Sequence, residues 1–400
     1  MATNNNDKTL NVPPLRFPEF TEEWLHCTLG DITTNFNLRN KNEVEYPMYS
    51  VTNNRGFIPQ SEQFEDREML GEDIKAYKII HKDDFAYNPA RINVGSIAKY
   101  DGEQPCMISS LYVCFKTNPQ IYNDWMAQLL KTPKMNYYYN TNGEGGVRIY
   151  LFYPNFARIR TSYPATLSEQ KKIAHFLTLL DERIATQNKI IEDLKKLKSA
   201  IVEMLLCNQN GESFKLRDVG YFIRGLTYAN EDVTEDKAAT TVIRANNLNY
   251  GNHVDKDEVV YVNKAPTASQ ILRKGDIVIC MANGSSSLVG KNSYYPFNDG
   301  QSTIGAFCGI YRTSHPFVKW LMQSQRYKRL VYQSLQGGNG AIANLNGDDI
   351  LNMSFPLIEK EKFQSIVFTI DAIEKSLMVN KSLQRLYYIQ KSYLLKQMFI

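Results

Sequence analysis

Asparagine, arginine and serine side chains recur at turn-like positions in both halves of this chain, and their shared chemistry is hydrogen-bond recognition. In the first half Asn53, Asn54 and Arg55 follow Tyr49-Ser-Val-Thr52, Arg91 and Asn93 follow Asn88-Pro89, and Arg148 closes a Gly-rich stretch. In the second half Arg244, Asn246 and Asn247 follow Thr241-Val-Ile243. Asn283, Ser285 and Ser286 follow Ile277-Val-Ile-Cys280, and Asn339 sits in another Gly-rich stretch. Arg and Asn form paired hydrogen bonds with guanine and adenine edges, while Ser and Lys hold phosphates. These thirteen residues are the candidate DNA contacts. Each cluster alone also reads as a solvated turn, because Asn bonds its own backbone there. Recurrence at matching places in both halves tells for binding.

Catalytic constellations are missing from the sequence. It has no GxxxxGK[ST] phosphate loop, no GxSxG elbow and no HExxH. The stretches around Gly143 and Gly337 do not follow a strand and open a helix, as dinucleotide loops do. Asn88-Pro-Ala-Arg91 is similar to the Asn-Pro-Pro-aromatic tetrapeptide of amino-methyltransferases. It lacks the second proline and the aromatic, and no Gly-rich methyl-donor loop accompanies it. Six cysteines, Cys27, Cys106, Cys114, Cys207, Cys280 and Cys308, are scattered without a CxxC pair. Buried, reduced thiols are the expectation. The five histidines stand apart from one another, so no metal site and no cofactor are expected.

Composition sets the outer bounds. Forty-six Lys+Arg against 42 Asp+Glu give a formal charge of +4, which excludes a polycation but leaves room for local basic faces. With 43% hydrophobic residues among 400, the chain can bury more than one core. The 25 Tyr and 19 Phe suit strands and polar interfaces. The first residues carry no signal-like apolar stretch, and no run reaches the roughly 18 apolar residues of a membrane span. A cytoplasmic protein is expected.

Two copies of one domain-sized unit position the polar clusters. The repeat length is about 190 residues. Each copy opens on a short phrase, Leu29-Gly-Asp-Ile32 or Leu216-Arg-Asp-Val219. A charged turn enters a strand in each, at His81-Lys-Asp-Asp84 and Arg273-Lys-Gly-Asp276. Each copy then reaches a proline, Pro164 or Pro356, and passes into a long helical pattern. In the first helix the heptad seam is Ile173, Leu177, Leu180, Ile184, Ile191, Leu194, Ile201 and Leu205, with gaps at Gln187 and Lys198. The second is rougher: Phe363, Ile366, Ile370, Ile373, Leu377 and Leu386 mark it, with Leu383, Ile389 and Tyr393 widening the face. Helices of this length exceed those of ordinary domains, and each offers the other a partner. The predicted fold class is α+β, with two pseudo-repeated globular domains separated by two long coiled-coil helices. The expected divisions are a disordered arm at 1–11, domains at 12–164 and 211–356, and helices at 165–210 and 357–400.

The chain resembles the specificity subunit of type I restriction–modification systems. The matching residues are Leu15-Arg-Phe-Pro-Glu-Phe20 with Trp24 and Leu29-Gly-Asp31, then Asp84-Phe-Ala-Tyr-Asn-Pro-Ala-Arg91. Above all they include Pro164 followed by Glu169-Gln-Lys-Lys-Ile-Ala174 and Leu180-Asp181. The second helical region departs, with Glu359-Lys-Glu-Lys-Phe363 in place of Glu-Gln-Lys-Lys-Ile. The resemblance implies a non-catalytic reader of double-stranded DNA. Each target-recognition domain would read one half of a split asymmetric target, and antiparallel helices would set the gap. Two methyltransferase subunits would dock on the helices and restriction–translocase subunits would join that core. Methyl donor and nucleoside triphosphate would belong to those partners. A coiled-coil adaptor without DNA reading is the alternative, and a DNA methyltransferase a weaker one.

Overall fold

The structure, a computed structural model, describes residues 10–63, 74–146, 149–204, 211–249, 253–335, 343–357 and 360–400. The chain divides into two compact units, Met1–Asn188 with Ser382–Ile400 (unit 1) and Lys189–Lys381 (unit 2). Both are mixed α+β.

Unit 1 begins β1 (Leu25–Thr28), α1 (Leu29–Ile32), β2 (Thr33–Phe36), β3 (Tyr49–Thr52), β4 (Gly56–Pro59) and α2 (Gln60–Gln63). It continues β5 (Lys78–Ile80), β6 (Phe85–Tyr87), β7 (Ile97–Lys99), β8 (Cys106–Ile108) and β9 (Val113–Thr117). Then come α3 (Asn123–Leu129), α4 (Pro133–Asn142), α5 (Tyr153–Ala157), β10 (Arg160–Tyr163) and the long α6 (Leu167–Val202). In unit 2, β11 (Ser213–Lys215), α7 (Leu216–Val219), β12 (Gly220–Arg224), β13 (Val233–Thr234), β14 (Thr240–Ile243) and β15 (Val260–Val262) come first. β16 (Ile277–Cys280), β17 (Ala282–Asn283), β18 (Asn292–Tyr294), β19 (Ser302–Ile304) and β20 (Cys308–Thr313) follow. α8 (Val318–Leu321), α9 (Gln325–Leu335), β21 (Ala343–Asn344), α10 (Gly347–Leu351), β22 (Ser354–Pro356) and α11 (Lys360–Gln397) complete the chain.

The two units share their main sheet topology. Unit 1 holds a four-stranded antiparallel sheet in the order β2-β9-β6-β7, and unit 2 the matching sheet β12-β20-β16-β18. A short antiparallel pair joins the start of each copy to its end, β1 with β10 and β11 with β22. In unit 2, β14 runs parallel to β19; in unit 1 a single parallel bridge, Met48 to Met107, marks the same neighbourhood of β3 and β8. The weak sequence correspondences thus coincide with equivalent positions in one topology.

Alternating apolar residues build the cores. Trp24, Phe85, Phe115, Trp125 and Phe156 fill unit 1, and Tyr311, Trp320, Tyr327 and Phe355 fill unit 2. The long helices supply part of each core. Ile173, Leu177, Leu180 and Ile184 of α6 pack in unit 1 beside Leu394, Leu395, Met398 and Phe399. Val202 packs in unit 2 beside Ile366 and Ile370 of α11. Within each unit the two helices run antiparallel: Lys391 pairs with Asp181 and Gln384 with Asn188 in unit 1, and Lys198 bonds Glu374 at 2.6 Å in unit 2. The unit boundaries therefore cut through both helices rather than at their ends. α6 starts where the Thr166 hydroxyl accepts from the Glu169 N–H, and no Gly or Pro interrupts it.

The seam differs from the heptad reading in three places. Gln187 and Lys198, its apparent gaps, are buried on it. Leu194, Ile201 and Ile373 are half-buried, while Ile191 and Leu377 are buried. Leu386 is 60% exposed, because the buried face of α11 passes instead to Leu394 and Leu395. Leu205 lies outside the described residues, as does the side chain of Phe363. Of the N-terminal arm, residues 1–9 are outside the described residues. Asn11 is tied down, its amide donating to the Trp24 carbonyl at 2.5 Å and the Ser162 hydroxyl at 3.3 Å.

Candidate nucleic-acid interface

Strand polarity gathers the polar turns at one edge of each unit. β14 and β19 are parallel, so the loops leaving their C-terminal ends lie side by side; the Gly305 N–H donates to the Ile243 carbonyl at 3.0 Å. β16 is antiparallel to β20 with Cys280 opposite Cys308, which brings the loop after β16 to the same edge. Arg244, Asn246 and Asn283 consequently line one cleft of about 610 Å³ with Tyr228, Asn230 and Phe307.

Within that cleft the residues have unequal roles. Arg244 and Asn246 are exposed, and the Arg244 guanidinium has no hydrogen-bond or ion-pair partner among the described residues. Asn247 is only 2% exposed. Its Oδ1 accepts from the Arg244 N–H at 2.9 Å and its amide donates to the Glu258 carbonyl at 3.3 Å, so it shapes the turn rather than facing a ligand. The Asn283 Oδ1 accepts from the Ser285 N–H at 2.9 Å. Ser285 and Ser286 are exposed beside it, with Ser285 hydroxyl-bonded to Ser287 at 2.8 Å.

Unit 1 builds the equivalent edge from the β3–β4 turn and the 3-10 turn Ile92–Val94. Asn53, Asn54 and Arg55 are exposed on the first, and they share a groove with Asn93. The Asn93 amide donates to Asn140 of α4 at 3.1 Å. Arg91 is exposed, with no side-chain partner among the described residues. Arg55 pairs with Glu62 at 2.8 Å, both in solvent, which is a weak link that an incoming phosphate can replace. Lys99, nearby, is held by Asp83, Asp101 and Asp124 and is not a free cation. Arg148 and Asn339 lie outside the described residues. The sequence reading missed Tyr228, Asn230 and Phe307; the signal for Phe307 was a large apolar residue in a turn between two strands.

Burial pushes the thiols of Cys27, Cys106, Cys114 and Cys308 up to about 12, which keeps them protonated. Among the described residues no group of three or more His, Cys, Asp or Glu could hold a metal ion. Nor is any described helix long and apolar enough to cross a membrane.

No protein-family model matches the chain. Over 148 residues it is 30% identical to the type I restriction enzyme EcoKI specificity subunit of Escherichia coli K12 and to the StySPI specificity subunit of Salmonella potsdam. The matched stretch covers 35% of this chain and 31% of each relative's length. In fold it is similar to the type I restriction–modification S subunit of M. genitalium, with a TM-score of 0.59 at 13% identity, covering 97% of this chain and 99% of that one. A chain from a structure of type I restriction–modification complex assembly matches with a TM-score of 0.54 at 13% identity, covering 96% and 98%. Over about a third of its length the chain is similar in sequence to specificity subunits of type I restriction enzymes, and over nearly all of it its fold is similar to that of a solved type I restriction–modification S subunit.

Proposed function

We propose that this chain is the non-catalytic, sequence-reading subunit of a cytoplasmic type I restriction–modification complex. Two domains, residues 12–164 and 211–356, each read one half of a bipartite asymmetric double-stranded DNA target through their loop edges. The helices at 165–210 and 357–400 set the gap and dock two methyltransferase subunits, and restriction–translocase subunits join through that core. The observation that carries this reading is the doubled edge: two copies of one topology each collect exposed Arg and Asn where parallel and antiparallel strands end together. The guanidinium groups of Arg91 and Arg244, without side-chain partners among the described residues, supply the forked donors that guanine edges accept. Docking is supported by the solvent-facing apolar side chains of the helices, among them Leu179, Leu197, Phe368 and Val379.

The test replaces residues 12–163 with those of a relative and sequences the methylated sites in a host carrying the intact complex. One half of the target is expected to change and the other to stay. A change in both halves, or in neither, overturns independent reading. Mobility shifts of the purified complex on its target should weaken steeply with salt as phosphate contacts are lost. A complex that ignores DNA points instead to a coiled-coil adaptor.

A further inference from the structure

Phe307 is the most exposed large apolar side chain lining the unit 2 cleft, and Leu111 holds the equivalent ladder position in unit 1. Gly305–Phe307 is the tight connection between β19 and β20, and Phe307 is 72% exposed. The connection between β8 and β9 leaves Leu111 76% exposed. The positions correspond by ladder register. Thr313 ends β20 opposite the start of β12, and Thr117 ends β9 opposite the start of β2. Counting back equally from these threonines leads to Phe307 and Leu111.

Phe307 is not a frayed tip. Its carbonyl accepts from the N–H groups of Met281 at 2.8 Å and Ala282 at 3.3 Å, so its backbone is fixed while its ring stands in solvent. A large ring on a fixed backbone amid hydrogen-bonding neighbours adds an apolar contact to a polar cleft. Those neighbours are Arg244, Asn246 and Asn283, which line the same cleft. Arg and Asn read hydrogen-bonding edges. The thymine 5-methyl group is the one major-groove feature that only an apolar side chain reads.

We infer that Phe307 is a specificity-determining residue of the unit 2 half-site. Its ring is set against a thymine methyl in the major groove beside the polar contacts, and Leu111 plays the same part in unit 1. This rests on the DNA-reading function proposed above.

The experiment uses the full chain assembled with its methyltransferase subunits, on the duplex identified from methylated sites. Phe307→Ala is expected to lower the affinity ratio of target over unrelated DNA on the order of tenfold, with discrimination lost at one T·A pair of one half. Deoxyuridine at that thymine should cost the wild type a similar factor and the variant nothing further. Phe307→Leu should keep most of the ratio. Leu111→Ala should act on the other half. Because both side chains are exposed, melting temperatures should stay unchanged. A retained ratio in Phe307→Ala overturns the inference. So does an equal loss on all DNA, a half-target without a T·A pair, or wild-type binding insensitive to deoxyuridine throughout the half. A wild-type complex that fails to discriminate target from unrelated DNA overturns the DNA-reading function itself, which separates the two failures.

Discussion

Unit 2 grips its buried aspartate with an arginine, whereas unit 1 leaves the equivalent aspartate to a lysine near the limit of ion-pair distance. Arg312 reaches Asp276 through Nε at 2.8 Å and Nη2 at 2.7 Å, and its guanidinium also donates to the carbonyls of Ser269 and Ile271. Lys116 comes only to 3.4 Å from Asp84 and is itself largely in solvent. Both carboxylates accept a backbone N–H three residues back, from Arg273 at 2.7 Å and His81 at 2.9 Å. The residue before each is left-handed, Gly275 at φ 104° and Asp83 at φ 71°. The two copies thus share the carboxylate that caps the turn and differ in the cation that neutralises it. The turn needs the cap for its geometry, while several cations can supply the charge.

The helix ends differ likewise. In unit 1, Phe399 sits on Trp24 and Trp125, with ring centroids 6.3 Å and 5.8 Å away. In unit 2, Trp320 of α8, the counterpart of Trp125 of α3, lies beneath Lys198 and Lys319 at 4.5 Å and 4.2 Å. One copy closes its core with an aromatic ring and the other with cations held over an indole face.

These contrasts can be broken one at a time. Arg312→Ala strands a buried carboxylate and should destabilise unit 2 by roughly 3–5 kcal/mol. Lys116→Ala should cost unit 1 under about 1 kcal/mol. Denaturant unfolding read by hydrogen exchange in each unit measures both, and equal losses would remove the distinction. Phe399→Ala should cost about 3 kcal/mol by opening a cavity against two tryptophans, with faster exchange around Trp24 and Trp125 and none added around Trp320. Gly275→Ala should cost about 1–2 kcal/mol for an L residue in left-handed backbone, since no heavy atom crowds that position. Asp83→Ala, where a side chain already stands, should cost less in the same assay.

The smallest effect concerns acid. Burial opposes ionisation of Asp299, yet hydrogen bonds from Lys256, Tyr295 and Ser302 and the Lys256 charge bring it down to about 2. Its contribution is therefore complete above the ordinary carboxylate value near 4 and fades as pH falls toward 2. Acid titration of unfolding should show this component in the wild type and lose it in Lys256→Met.

Much of the architecture was legible because it is periodic. Ile173, Leu177, Leu180 and Ile184 follow the heptad, and all are buried. The duplication was legible in order rather than in identity, since turns such as His81-Lys-Asp-Asp84 and Arg273-Lys-Gly-Asp276 keep their capping aspartate. The edge residues were legible only as types. Asn246 and Asn247 are neighbours of one kind, yet the first faces solvent and the second is the hydrogen-bonded floor of its turn. Leu386 fits a heptad that α11 does not follow near its end. The tyrosine excess divides similarly: Tyr87, Tyr139, Tyr295, Tyr311 and Tyr327 fill cores, while Tyr388 and Tyr393 stand on the outer face of α11.

By itself the sequence determined the repeat, the two long helices and the residue chemistry available at the turns, because local spacing governs these. Only the tertiary structure decided which turns meet at one edge, which Asn is spent on its own backbone, and which apolar side chain remains in solvent. Those outcomes depend on strand polarity and register, which bring together residues far apart in the chain and which no local pattern encodes.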